Sequence, residues 1–177
     1  MAGLALTREP FDGLYSSPLS RAFETASIIR ERTGFAGEVV PVEGLSERGG
    51  GILEGHTWDE QERLNPELAK KFLAIPEEER WALVGAETDE EVIARFGLAI
   101  ASIGARHPEG SRIVIVSHGG VMRAYLRELF GPEVLPGAQR AANASITRMR
   151  WDDEGPHLLE VAATTHLAED PGSTTVE

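Results

Sequence analysis

Arg112-Ile113-Val114-Ile115-Val116-Ser117-His118-Gly119-Gly120-Val121 is the stretch whose reading decides the fold. Four consecutive β-branched residues, Ile113 to Val116, predict a strand buried on both faces, the pattern of a parallel sheet in an α/β domain. The strand stops at Ser117, and Val121 to Phe130 predicts a helix. His118 therefore falls at the carboxyl end of a strand, beside glycines and a helix N-terminus. Open α/β sheets bind ligands along that edge, and helix N-termini favour anions. A core histidine in a tight turn is the plainer alternative, and the rest of the chain must decide between them.

On the N-terminal side, Thr88-Asp-Glu-Glu91 is a capping box that opens a helix running to about His107. Its buried face is Val92, Phe96, Ala99, Ile100 and Ile103. Thr57-Trp-Asp-Glu60 is a second capping box, Asn65-Pro66 restarts that helical region, and it extends to about Ile75. Glu77 to Arg80 reads as acidic and solvated. Val39 to Val42 predicts a short strand leading into the loop Glu43–Gly55, with three carboxylates, one arginine and five glycines. Such a loop is costly to order unless it serves a site. Earlier still, Phe11 to Tyr15 predicts a strand, and Leu19 to Arg32 a helix with Ser17 as N-cap and Pro18 at its first position. Arg21 then lies in the first turn, where the helix dipole disfavours a cation. A residue that breaks the local rule is a functional candidate.

On the C-terminal side, Gly131-Pro132 ends the helix after His118. Ala144 to Trp151 alternates, Asp152 to Gly155 signals a hairpin turn, and His157 to Ala163 is the returning strand. The hairpin is expected as an antiparallel edge on the parallel sheet. Residues 1–167 read as one domain, with 57–84 as a lid or insert, and 168–177 as a flexible tail.

The 177 residues suffice for one sizeable core. Hydrophobic content of 41% and charged content of 26% fit a soluble globular chain. The absence of cysteine excludes disulfides and thiolate chemistry and fits a reducing cytoplasm, the expected location. A formal net charge of -12 argues against nucleic acid and anionic membranes as partners. An anionic substrate must then be recruited by a few focused arginines.

Arg21 follows one strand, Glu47 follows a second and His118 a third, so parallel strands would bring all three to one sheet edge. Arginine suits bidentate capture of phosphate. Histidine can hydrogen-bond a phosphoryl oxygen, take a proton or act as nucleophile. A glutamate in a partly closed loop can serve as general acid. That set suits phosphoryl transfer with no metal and no cofactor. No carboxylate cluster for a divalent ion and no Gly-x-Gly-x-x-Gly turn for a dinucleotide is evident.

Ser16-Ser-Pro-Leu-Ser-Arg-Ala-Phe-Glu-Thr25, Leu45-Ser-Glu-Arg-Gly49 with Leu53-Glu-Gly55, Gly85-Ala-Glu-Thr88 and Val116-Ser-His-Gly-Gly120 resemble successive motifs of the histidine phosphatase superfamily, in its phosphoglycerate-mutase-like branch. Asn143-Ala-Ser-Ile146 and Thr164-Thr-His-Leu167 are similar to its late motifs. The resemblance implies a three-layer α/β fold with a mostly parallel sheet, and metal-independent phosphomonoester hydrolysis through a phosphohistidine. Arg21 would bind the phosphoryl group, Glu47 would donate the proton, and His118 would hold a phosphoryl oxygen. Ser117 and Gly119 would shape its loop, Gly119 also contacting phosphate. Glu54 is a secondary candidate for the acid, and Asn143 and His166 are peripheral or structural candidates. His56, His107 and His157 read as surface or loop residues.

The family's first strand ends in Arg-His-Gly, whose histidine is the nucleophile, and no Arg-His-Gly occurs here. A central strand beside the His118 strand is thus expected to be missing. Met1 to Leu6 looks like the late part of the family's first helix. The preferred expectation is a truncated or mis-started phosphatase, catalytically impaired as given. The alternatives are a non-catalytic module that binds phosphorylated ligands and, after that, a phosphoglycerate mutase. The ligand would be a small phosphorylated metabolite or phosphate, and a homodimer stays open. Trp58, Leu64, Phe72 and Trp81 suggest either a partly apolar pocket in the lid or core packing.

Overall fold

Strand β1, Gly13–Ser16, is the middle of a three-stranded parallel sheet in the computed structural model, which describes Leu6, residues 9–135 and residues 141–168 (77, 78 and 168 by backbone alone). Its neighbours are β2, Val39–Pro41, and β3, Ile113–Val116, with Tyr15 level with Val40 and Ile115. Strand alternation sends Leu14 to one face and Tyr15 to the other. Leu14 packs with Ala26 and Ile29 of helix α1, Ser20–Thr33, against Val114 and Val116. Tyr15 packs with Val92, Phe96, Ala99 and Ile103 of α5, Asp89–Gly104, and with Val121 and Ala124 of α6, Gly119–Phe130. The result is helix, sheet, helix: three layers around one sheet.

Between β2 and α5 the chain builds α2, Trp58–Leu64, α3, Pro66–Ala74, and α4, Glu77–Leu83. Both expected capping boxes form, at Thr57 with Glu60 and at Thr88 with Glu91. The segment from Glu77, expected as acidic and solvated, is a helix that lays Trp81 edge-on to Phe72, ring centroids 6.0 Å apart. Trp58 covers the same ring at 5.2 Å. Phe72 and Trp81, with Val84 and Ala86, make a small core of their own, while Trp58 and Leu64 stay exposed. The void there is about 10 Å³, too small for a ligand, so the apolar side chains of this region pack rather than line a pocket.

Three expectations need correction. Ser17 is not the N-cap of α1: Leu19 takes that position without a side-chain cap, and the Ser17 hydroxyl accepts the Leu19 N–H just ahead of the helix while also bonding His118. The residues of β3 are half-buried rather than buried on both faces, because among the described residues β3 pairs with β1 alone and its outer edge is open. The hairpin of β4, Ile146–Asp152, and β5, Gly155–Ala163, is not attached to the parallel sheet but forms a separate two-stranded sheet. Arg148 anchors that hairpin, paired with Glu160 and with Glu9 ahead of β1. A short helix α7, Thr165–Ala168, follows β5. The remainder of the expected tail, and residues 1–5, lie outside the described residues. No helix among the described residues is long and apolar enough to cross a membrane.

Candidate active site

His118 ends the β3 connection as the N-cap residue of α6 and is 7% exposed. Its Nε2 lies 2.8 Å from the Ser17 hydroxyl, at the matching end of β1. The adjacent Ser117 hydroxyl donates to the Leu45 carbonyl at 2.7 Å, tying the end of β3 to the glycine-rich loop. Burial pushes the His118 pKa below its ordinary value; the Arg21 guanidinium adds to that, and Glu47 opposes it. The imidazole is therefore held neutral in a site framed by one cation and one carboxylate.

Glu47 supplies what α6 lacks. That helix carries no acidic residue in its first turn and no side-chain cap from His118. Glu47 Oε1 instead accepts the N–H groups of Val121 and Arg48, both at 2.9 Å, and Oε2 accepts that of Gly120 at 3.1 Å. A carboxylate at a helix start is favoured both by the free N–H groups and by the dipole. A Cβ on Gly120 would stand 2.7 Å from Oε1, so only glycine lets the loop approach this closely. With one N–H on Oε2, a lone-pair direction stays open on that oxygen for a proton.

The Glu47 loop is held by a clamp that the sequence did not single out. Arg95 of α5 donates to the carbonyls of Gly44 and Ser46, each at 3.0 Å, and reaches that of Glu47 at 3.5 Å. Its other edge grips Glu87 at 2.9 and 2.8 Å. Glu87 in turn accepts the Gly49 N–H at 2.8 Å. The Arg95 bonds hold the Glu87 carboxyl below its ordinary pKa, against the opposing effect of burial and with help from Gly49 and Arg48. Arg48 stacks over Trp81 at 4.5 Å and pairs with Asp89 and the Glu87 carbonyl, linking the loop to α4 and to the start of α5. On its helix face Arg95 looks like any solvated residue; only the fold brings the loop carbonyls over it.

Arg21 sits in the first turn of α1, exposed. Among the described residues no hydrogen bond or ion pair occupies its guanidinium, although it acts on His118 electrostatically. The fold thus brings Arg21, Glu47 and His118 to one sheet edge. Glu54 does not join them: it turns back to accept the Gly50 N–H at 2.7 Å. Gly119 is the first residue of α6 and has open space where a Cβ would go, with only the Ala141 carbonyl at 3.8 Å. Asn143 is exposed, and His166 donates from Nε2 to the Ala144 carbonyl at 2.9 Å, joining the two ends of the hairpin. His56 is exposed, but His107 is not a plain surface residue: half-buried, it pairs through Nε2 with the Tyr15 hydroxyl at 2.8 Å. His157 pairs with Asp152 at 2.8 Å, in an exposed group completed by Glu154 at the hairpin turn.

The family model of the histidine phosphatase superfamily (branch 1) matches residues 1–164. The chain is 34% identical over 163 residues to phosphoglycerate mutase-like protein 4 of Arabidopsis thaliana, covering 88% of this chain and 66% of that one. It is 37% identical over 162 residues to a metal-independent phosphoserine phosphatase of the same plant, covering 88% and 63%. The chain thus spans about two thirds of the length of the curated relatives it matches. The crystal structure of a phosphoglycerate mutase from Bacillus anthracis superposes with a TM-score of 0.79 over 94% of this chain and 79% of that one, at 22% identity, a likeness of fold. On the family match and its ordered motifs, the chain belongs to the histidine phosphatase superfamily.

Proposed function

We propose that this chain is the phosphate-holding body of a metal-independent phosphomonoester hydrolase, and that as given it binds a phosphoryl group without turning it over efficiently. The observation that carries the reading is the exposed Arg21 guanidinium, unengaged among the described residues, acting on a buried neutral His118 beside the helix-capping Glu47. Arg21 meets the charge of a phosphoryl group with a bidentate donor. His118 supplies a neutral hydrogen bond to one of its oxygens. Glu47, with its open position on Oε2, passes a proton to the leaving oxygen. Gly119 contributes the N–H of a helix start. The 57–84 region closes over the site as a lid, coupled to it through Arg48.

The nucleophile is the missing part. In the family mechanism a phosphohistidine forms on an Arg-His-Gly histidine, and this sequence has none. The four histidines other than His118 are His56, exposed on the lid side, His107, bonded to Tyr15, and His157 and His166, bonded within the hairpin region. Phosphatase is preferred over mutase because the region between Glu47 and Glu87 carries few basic residues, and one of them, Arg80, is stacked over Phe72. A phosphoserine-like metabolite is the substrate class, by likeness to the plant phosphatase.

Inorganic phosphate at millimolar concentration should raise the melting temperature of the chain, and Arg21→Ala should abolish the rise. No shift in the unmodified chain would sink the reading. Hydrolysis of an aryl phosphate should stay near background; robust turnover lost on His118→Ala would show that the chain does carry its own nucleophile.

A further inference from the structure

We propose that Ser17 is a positioning residue that fixes His118 as its Nδ1–H tautomer, so that His118 meets a phosphoryl oxygen as a hydrogen-bond donor and has no lone pair to offer as a nucleophile. The ligand in this statement rests on the proposed phosphate site; the tautomer does not.

A serine hydroxyl has one hydrogen to donate and two lone pairs. One lone pair of Ser17 Oγ takes the Leu19 N–H at 3.2 Å, and the same oxygen lies 2.8 Å from His118 Nε2. Ser17 is 0% exposed, so solvent does not reach its hydroxyl. Among the described residues the hydroxyl makes no bond to any other acceptor. If Nε2 carried the ring hydrogen, two N–H groups would converge on Oγ and the hydroxyl hydrogen would have no acceptor in a dry site. Buried polar groups are rarely left so. With the ring hydrogen on Nδ1, Ser17 donates to Nε2 and every group is satisfied. An imidazolium meets the same conflict, since both nitrogens then donate. Burial and the Arg21 charge resist it as well, and Glu47 is the one group opposing them.

Nδ1 has no hydrogen-bond partner among the described residues. Its N–H is the group left for a ligand oxygen. The nitrogen with a lone pair, Nε2, is blocked by Ser17 and faces the interior. The serine therefore separates two roles that a free histidine can play, and assigns His118 to one of them.

The test is a two-bond proton–nitrogen correlation spectrum of the imidazoles in the nitrogen-15-labelled chain between about pH 7 and 8, where a histidine of ordinary pKa is neutral. His118 should show a single Nδ1–H pattern. Ser17→Ala should move it toward the Nε2–H form or a mixture, and Ser17→Thr, which keeps the hydroxyl, should retain the original pattern. An Nε2–H pattern in the unmodified chain overturns the proposal, and this spectrum decides the matter even if Ser17→Ala fails to fold. An unchanged Nδ1–H pattern in folded Ser17→Ala overturns it too. Added inorganic phosphate should shift the Nδ1 resonance. An Nδ1–H pattern with no response to phosphate supports the tautomer and counts against the phosphate site instead.

Discussion

At the scale of single residues, His118 is where the environment does most. Burial and Arg21 lower its pKa below the ordinary 6.5, so the folded chain resists a proton that the unfolded chain accepts. The unfolded state then binds more protons below about pH 6.5, and the linkage relation makes stability fall as pH falls through that range. Urea unfolding followed from pH 7.5 to 5.5 should show this loss, and His118→Asn should flatten it. An unmodified chain equally stable at both ends would contradict the buried neutral imidazole. Its residue identity was legible in the sequence as a histidine at a strand end; its partner was not. Ser17 reads locally as a helix cap, because nothing in the neighbouring sequence says that a histidine 101 residues further on will bond its hydroxyl.

At the scale of elements, α6 depends on a carboxylate supplied by another segment. Glu47 satisfies the first N–H groups of that helix, as a cap would, from a loop more than seventy residues away in sequence. Glu47→Ala should destabilise the fold by about 1 kcal/mol, the usual worth of an N-cap, measured by denaturant unfolding. Glu47→Gln, which keeps an acceptor, should cost less. A null effect of Glu47→Ala would mean that water replaces the carboxylate without loss. The capping boxes at Thr57 and Thr88 formed as expected because both partners are local, three residues apart. The Arg95 clamp was illegible for the opposite reason: its bonds join α5 to a loop some fifty residues earlier.

At the scale of the whole molecule, the sheet, the helices α2 to α4 and the hairpin are held by different contacts. The region from α2 to α4 has its own small core, with the Phe72 ring between Trp81 and the more exposed Trp58. Phe72→Ala should cost about 3–5 kcal/mol at that core. Hydrogen exchange should then quicken across residues 58–83 while β1 and α1 keep their protection; equal loss everywhere would make that region and the sheet one cooperative unit. The sequence alone determined the α/β class, the strands and most of the helices, and the placement of Arg21, Glu47 and His118 after three strands, though not the helix from Glu77. Those follow from side-chain period, caps and strand-end placement, all of them local patterns. Only the tertiary structure decided that β3 is half-open, that the hairpin stands apart, and that Ser17, Gly120, Glu87 and Arg95 contact His118, Glu47 or the Glu47 loop. Each of these depends on which distant backbone groups come within hydrogen-bonding or contact distance, and periodicity along the chain carries no record of that.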